Sequence, residues 1–300
     1  MILCCGEALI DMLPRESGAG EPAFAPYAGG AVFNTAIALG RLGAPVGFFS
    51  GLSTDLFGDI LTRELGNSRV DSSFAARSDR ITTLAFVTLT DGQARYAFYD
   101  ENTAGRMLTE ADLPNLGEGV QALFFGGISL VSEPAAETYA AFAAREAGKR
   151  LVMIDPNIRP SFIKDAARYR ARLDGMLAGA DVVKLSDEDM DWLGLTPEDL
   201  VARGVALVLV TRGAEGVDAT SAEGTIRVAA ERAQVVDTVG AGDTFNAGFL
   251  AGLHRGGLLE RATFRGAGLE DLRAAVGLGA KAAAVTVSRA GANPPWETEL

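Results

Sequence analysis

Histidine is almost missing from this chain: among 300 residues there is one, His254. A histidine-built metal centre is excluded, and a Ser-His-Asp hydrolase has little to work with. Cysteine is scarce as well. Cys4 and Cys5 are the only two, and neighbours on a strand point to opposite faces, so they are poorly placed to bridge and fit a reducing compartment. Basic residues are in deficit, 27 Lys and Arg against 39 Asp and Glu, a formal charge of −12. That balance argues against a nucleic-acid surface. It also means that a site for a polyanionic nucleotide must be locally electropositive, built from helix ends, a few Lys and Arg, and a divalent metal. No uninterrupted apolar run reaches the ~18 residues of a membrane span, and residues 2–5 are too short for a signal peptide's apolar region before Glu7. The expectation is a cytoplasmic protein with neither nucleic-acid nor membrane partners.

What is present is a large core. Hydrophobic residues make up 48% of the chain, and no linker or repeat divides it, so residues 1–300 read as a single domain. Apolar runs at 121–126, 151–155, 181–185 and 206–211 alternate with helical stretches near 135–147, 165–178 and 187–203. That alternation predicts an α/β fold, a doubly wound, mostly parallel sheet. Two regions depart from it. Residues 12–28 are rich in Pro, Gly and Ala, and β-rich runs at 82–90 and 95–99 are joined by Asp91-Gly92, a strong hairpin signal.

The most informative stretch is 236–250, VDTVGAGDTFNAGFL. Residues 233–236 read as a strand and 244–254 as a helix of small residues. Gly240-Ala241-Gly242 between them lets consecutive N–H groups converge at a helix N-terminus, which suits phosphate or a developing oxyanion. A loop that only held phosphate should not carry a carboxylate at its edge. One that transfers phosphate needs a base for the attacking hydroxyl, and Asp243 is placed for that role, with an ordinary helix cap as the alternative.

DTVGAGDTFNAG resembles the C-terminal signature of the ribokinase-like (PfkB) carbohydrate kinases, and GGAVFNTAIALGRLG from Gly29 to Gly43 resembles their N-terminal one. The resemblance covers nearly the whole chain and implies a small β-sheet lid, from segments about 12–28 and 80–105, over a sugar site. Asp11, just beyond the first strand, matches an aspartate that holds sugar hydroxyls; Gly29, Gly30 and Asn34 fall beside the same sugar. Arg106 matches an arginine that faces the acceptor in bacterial fructokinases. Arg159, in Asp155-Pro156-Asn157-Ile158-Arg159, could bind an acceptor oxygen or a nucleotide phosphate. Lys184 and Ser186 lie where the family places nucleotide contacts, as do Thr211, Gly213 and Gly216 of its T-x-G-x-x-G element. The family's metal-shell glutamate is replaced by Asp189, so either Glu188 or Asp189 would act on Mg²⁺ through water. Carbonyls of Asp237, Val239, Thr286, Arg289 and Gly291 match a monovalent-cation site, and Ala280 replaces an asparagine set against adenine. Asp55 reads as the cap of the helix that follows it.

The resemblance implies an ATP-dependent kinase with Mg²⁺ and a K⁺ site, transferring phosphate to a primary hydroxyl of a small-molecule sugar. D-Fructose at O6 is the expected acceptor, with 2-keto-3-deoxygluconate as the nearest rival. A catalytically idle binder on the same fold is the alternative of another class. A homodimer through the lid is a further expectation.

Overall fold

The computed structural model describes residues 1–90 and 93–300; the predicted turn at Asp91-Gly92 lies outside them. Strand β1 (Ile2–Cys5) is buried along its whole length, as a strand between two parallel neighbours must be. The chain then leaves the core for β2 (Leu9–Glu16) and β3 (Pro22–Gly29) and returns through helix α1 (Ala31–Arg41) to β4 (Val46–Phe49). Next come β5 (Gly51–Ser53), α2 (Leu56–Asn67), β6 (Ala76–Ser78), β7 (Leu84–Thr90) and β8 (Gln93–Tyr99). Asp55 does cap α2: its carboxylate accepts from the Gly58 N–H at 2.8 Å and from the Thr82 N–H at 2.8 Å.

The second half is wound as the sequence predicts. It contains β9 (Ala122–Gly126), α3 (Ala135–Glu146), β10 (Leu151–Asp155), α4 (Ala166–Ala178), β11 (Val182–Ser186), α5 (Asp187–Leu193), α6 (Pro197–Ala202) and β12 (Leu207–Thr211). A hairpin of β13 (Val217–Ser221) and β14 (Gly224–Val228) precedes α7 (Ala241–Arg255), α8 (Arg261–Gly266) and α9 (Leu269–Val287).

The main sheet has eight strands in the order β14-β13-β12-β11-β10-β9-β1-β4. Six run parallel from β12 to β4, and the final hairpin is antiparallel. Chain order reverses at β1, which lies between β9 and β4, and the crevice beyond such a switch point is where open sheets bind ligands. A separate four-stranded sheet, β3-β2-β7-β8, forms the lid.

Three expectations need correction. Residues 233–236 form no strand: Val235 and Val236 are 64% and 60% exposed, and this stretch pairs with no strand of the sheet. It is held instead by the Val236 and Asp237 N–H groups on the Val287 carbonyl, at 2.8 and 3.2 Å. The helix expected over 187–203 is two helices. Gly194 takes a left-handed C-cap (φ 66°), and Thr196 caps the next helix with Pro197 at its first turn. Asp11 lies not beyond β1 but inside lid strand β2, paired with Tyr27 and Ala85.

Helix α7 meets α9 with backbone close against backbone at Gly248. A β-carbon on Gly248 would lie 2.7 Å from Gly279 Cα and 2.8 Å from the Leu278 carbonyl oxygen. Neither backbone can yield without moving a helix. Gly248→Val is therefore expected to cost about 1–3 kcal/mol or more through overpacking, read as a lower urea midpoint, whereas Gly266→Ala, with open space around it, should leave the midpoint unchanged.

Candidate active site

The parallel strands deliver their C-terminal ends to one edge of the sheet, and the charged groups of the site sit there or on the helix ends facing it, with Asp11 coming from β2 of the smaller sheet. Helix α7 starts at Gly240, which adopts φ +76°, a conformation that favours glycine. Asp243 follows in the first turn and is 8% exposed. Its Oδ2 accepts a 2.9 Å hydrogen bond from the Asn34 side-chain amide, 209 residues away on α1. The Thr35 hydroxyl meets the Asp243 carbonyl at 3.3 Å. Helix α1 is thus fastened to the base rather than free to serve only the acceptor.

Beneath this pair lies a second buried cluster. Lys184 Nζ is 3.1 Å from Asp155 Oδ2, and the Asn246 side-chain amide donates to the same oxygen at 2.7 Å. The ion pair is almost fully buried, with side chains 7% and 4% exposed. Breaking it would strand a charge and cost several kcal/mol, on the order of 3–5. A β-carbon on Gly242 would lie 3.3 Å from Lys184 Nζ, so the ammonium is set directly against the anion hole. Burial pushes the Asp243 carboxyl up to about 7, with the Asn34 hydrogen bond and Lys184 opposing and the Asp155 and Glu7 charges adding to the rise. A base near neutrality is suited to receive a hydroxyl proton.

Glu7 was not singled out from sequence. It follows β1, and its carboxylate accepts from the N–H of Ala31 at 2.8 Å and of Ser129 at 3.2 Å. A β-carbon on Gly30 (φ 109°) or Gly127 (φ 64°) would strike Glu7. Gly29 is equally constrained, since its β-carbon would collide with the Asp11 carboxylate. The paired glycines therefore make room for acids of the protein itself. Burial raises the Asp11 carboxyl to about 6, and no hydrogen bond or ion pair to that carboxylate occurs among the described residues.

Other predicted residues are placed less centrally. Arg106 is held by Asp100 at 2.8 Å and by the Glu133 carbonyl at 2.9 Å. Arg159 is exposed, with no ion pair among the described residues. Asp189 acts as a structural cap: its oxygens accept from the N–H groups of Ser186 (2.8 Å) and Ile158 (2.7 Å) and from the Ser186 hydroxyl (2.7 Å). Ser186 is itself the N-cap of α5, accepting from the Asp189 N–H. Glu188 stays exposed. Asp237 bridges the two segments expected to hold a monovalent cation, accepting from the Val239 N–H at 3.0 Å and the Gly291 N–H at 2.9 Å. Those bonds hold its carboxyl below the usual range. The Arg289 N–H reaches the Thr286 carbonyl at 3.0 Å, so the five residues expected around a cation fall on the last turn of α9 and the loops adjoining it.

A cavity of ≈ 730 Å³ lies under the outer lid strand, and another of ≈ 640 Å³ opens beside the anion hole. The second is lined by Thr211, Gly213, Gly216 and Gly242 on its polar side. Phe245, Ala280, Ala283, Ala284 and Val287 make an apolar wall. One end suits phosphates and the other a flat, apolar-faced base.

This fold and site define a phosphoryl-transfer enzyme, with a buried carboxylate at the start of a glycine-led helix. The pfkB family carbohydrate kinase profile matches residues 1–299. The chain belongs to that family and is a carbohydrate kinase. It is 56% identical over 267 residues to a fructokinase of Rhizobium leguminosarum bv. trifolii, covering 87% of this chain and 82% of that one. A fructokinase of Salmonella typhimurium is 36% identical, with 84% of each chain covered. Among solved structures, a Xylella fastidiosa fructokinase with bound ATP superposes with a TM-score of 0.85 at 30% identity, covering 97% of this chain and 93% of that one.

A carboxylate that takes the hydroxyl proton must be ionised, so if Asp243 has that role kcat/KM should rise with pH and level off above an apparent pKa near 7. The Asn34 hydrogen bond favours the ionised form. Asn34→Leu should therefore move the acid limb to higher pH, and a limb that stays in place in a folded variant would separate Asn34 from the base.

Proposed function

We propose that this chain is an ATP-dependent fructose kinase that makes fructose 6-phosphate, with Asp243 as its general base. The observation that carries the mechanism is the buried Asp243 carboxylate at the mouth of the Gly240–Gly242 turn, hydrogen-bonded to Asn34 at 2.9 Å. The O6–P bond forms as the bond from the γ-phosphorus to ADP breaks, and the O6 proton passes to Asp243. N–H groups of Gly240, Ala241 and Gly242, with Lys184 behind them, meet the charge on the phosphoryl oxygens. Asp11 accepts from sugar hydroxyls, its carboxylate being otherwise unpartnered. Thr211, Gly213 and Gly216 border the phosphates.

Mg²⁺ neutralises β- and γ-phosphate charge when bound. Among the described residues no group of three or more His, Cys, Asp or Glu side chains is placed to hold a metal, and Asp189 is spent on its cap. Mg²⁺ would be held chiefly by the nucleotide phosphates, the usual arrangement for that ion, with exposed Glu188 the acid that would act on it through water. The carbonyls of Asp237, Val239, Thr286, Arg289 and Gly291 are proposed to take K⁺. The half-exposed lid aromatics Phe24, Tyr27 and Tyr99 are proposed to meet a second copy.

One observation favours the rival acceptor: Arg159 is exposed and has no ion pair among the described residues, a cation that a sugar acid could use. Against it, Arg106 is already neutralised by Asp100. The unmutated enzyme should prefer fructose to 2-keto-3-deoxygluconate in kcat/KM, and a tenfold preference for the keto acid would reverse the assignment. Asp243→Asn should lower kcat by roughly 10²–10⁴ while nucleotide binding persists, which calorimetry with an ATP analogue checks. Asp11→Ala should raise KM for fructose about tenfold or more, since hydroxyls lose a charged acceptor, and leave KM for ATP unchanged.

A further inference from the structure

Glu7 has no part in the reaction just described, yet its carboxylate joins three segments of the site. Its main chain is anchored in the core. The Gly6 N–H donates to the Phe49 carbonyl at 3.1 Å, and the Tyr139 hydroxyl donates to the Gly6 carbonyl at 3.2 Å. From that anchor one carboxylate oxygen accepts from the Ala31 N–H at 2.8 Å and the other from the Ser129 N–H at 3.2 Å. No cation pairs with it among the described residues. Burial raises its carboxyl, while the N–H groups of Ser129 and Ala31 favour the ionised form. An acid held inside without a counter-ion is costly, so its hydrogen bonds are what it is there to make.

Helix α1 depends on that carboxylate. Its N-cap is Gly30, which has no side chain to cap with, and its first turn holds no acid. Glu7 supplies both the missing acceptor and the negative charge that a helix start favours. One turn on, the Asn34 N–H closes the helix on the Gly30 carbonyl at 2.8 Å. The Asn34 side-chain amide then reaches Asp243 Oδ2 at 2.9 Å. Glu7 also stands where the chain passes between core and lid. It lies between β1 and β2, the strand that carries Asp11, and Ala31 opens the helix that follows β3. A β-carbon on Gly30 would lie 2.9 Å from the Glu7 carbonyl oxygen, so the outgoing and returning segments touch there.

We propose that Glu7 is a positioning residue. It fixes the first turn of α1 and, through Asn34, sets the Asp243 carboxylate in register with the acceptor held by Asp11. A displacement of about 1 Å at the reacting groups can lower turnover on the order of a hundredfold with the substrates still bound. Glu7 touches neither substrate and acts on the acceptor side alone. The inference rests on the reading of Asp243 as the base.

Glu7→Gln has nearly the same shape but offers one acceptor oxygen where two N–H groups need one each. It should lower kcat with fructose about tenfold through misalignment, with KM for ATP unchanged. Glu7→Asp keeps the charge on a shorter stem that cannot span both N–H groups, and should lose kcat as well. Calorimetry with an ATP analogue checks that each variant is folded. The deciding measurement is a double-mutant cycle with Asn34→Leu. Acting through Asn34, Glu7→Gln should slow the Asn34→Leu enzyme by no more than about twofold, because coupled residues do not add. A cap with a merely structural role would bring its full loss into that background. Additive losses, or parental kcat in the folded Glu7 variants, overturn the proposal. Asp243→Asn separates the two readings. Undiminished kcat there removes the base itself, whereas a lost kcat beside additive Glu7 and Asn34 effects removes this inference alone.

Discussion

The hydrogen bond from the Asn34 amide to the Asp243 carboxylate joins α1 to α7 and holds together what the reaction needs. Burying a lone carboxylate is costly, and the usual outcome is that it protonates. Here burial raises the carboxyl only to about 7, because Asn34 and Lys184 favour its ionised form. Lys184 in turn is paired in the interior with Asp155, which Asn246 also binds. One short chain of contacts thus spans α1, α7, β10 and β11. Loss of any member alters the proton affinity of the base, not just its position.

The same economy governs the two substrate sides. On the nucleotide side, glycines and alanines do most of the work by being small. Ala280, Ala283 and Ala284 leave an apolar wall, and Gly242 leaves an opening above Lys184. On the acceptor side the space around the glycines is filled by acids of the protein, Asp11 against Gly29 and Glu7 against Gly30 and Gly127. That side is therefore rich in negative charge, which suits a neutral polyhydroxylated acceptor better than an acidic one.

Much of this could be read from the residue order. Strand–helix alternation after residue 121 pointed to the parallel sheet, and the glycine-rich pattern of Gly240–Asp243 pointed to the helix end that starts there. Local pattern failed where partners are distant. Glu7 reads as a turn acid, because the N–H groups it accepts from are 24 and 122 residues away. Asn246 looks like any polar residue on an amphipathic helix until Asp155 lies beside it. Residues 233–236 have strand composition yet find no neighbouring edge, and Gly194 ends α5 where apolar periodicity alone would run on. Asp189 carried a local signal that the structure bears out, Ser186 followed three residues later by an acid, which is a capping box.

The central claim is that Asp243 is a buried carboxylate poised near neutrality in the resting enzyme. It can be observed without turnover by carbon NMR of protein labelled at aspartate side-chain carboxyls, with Asp243→Asn identifying the resonance. The account predicts that the Asp243 signal titrates near pH 7 in the ligand-free enzyme. Titration near 4, the ordinary range for an aspartate, would contradict it.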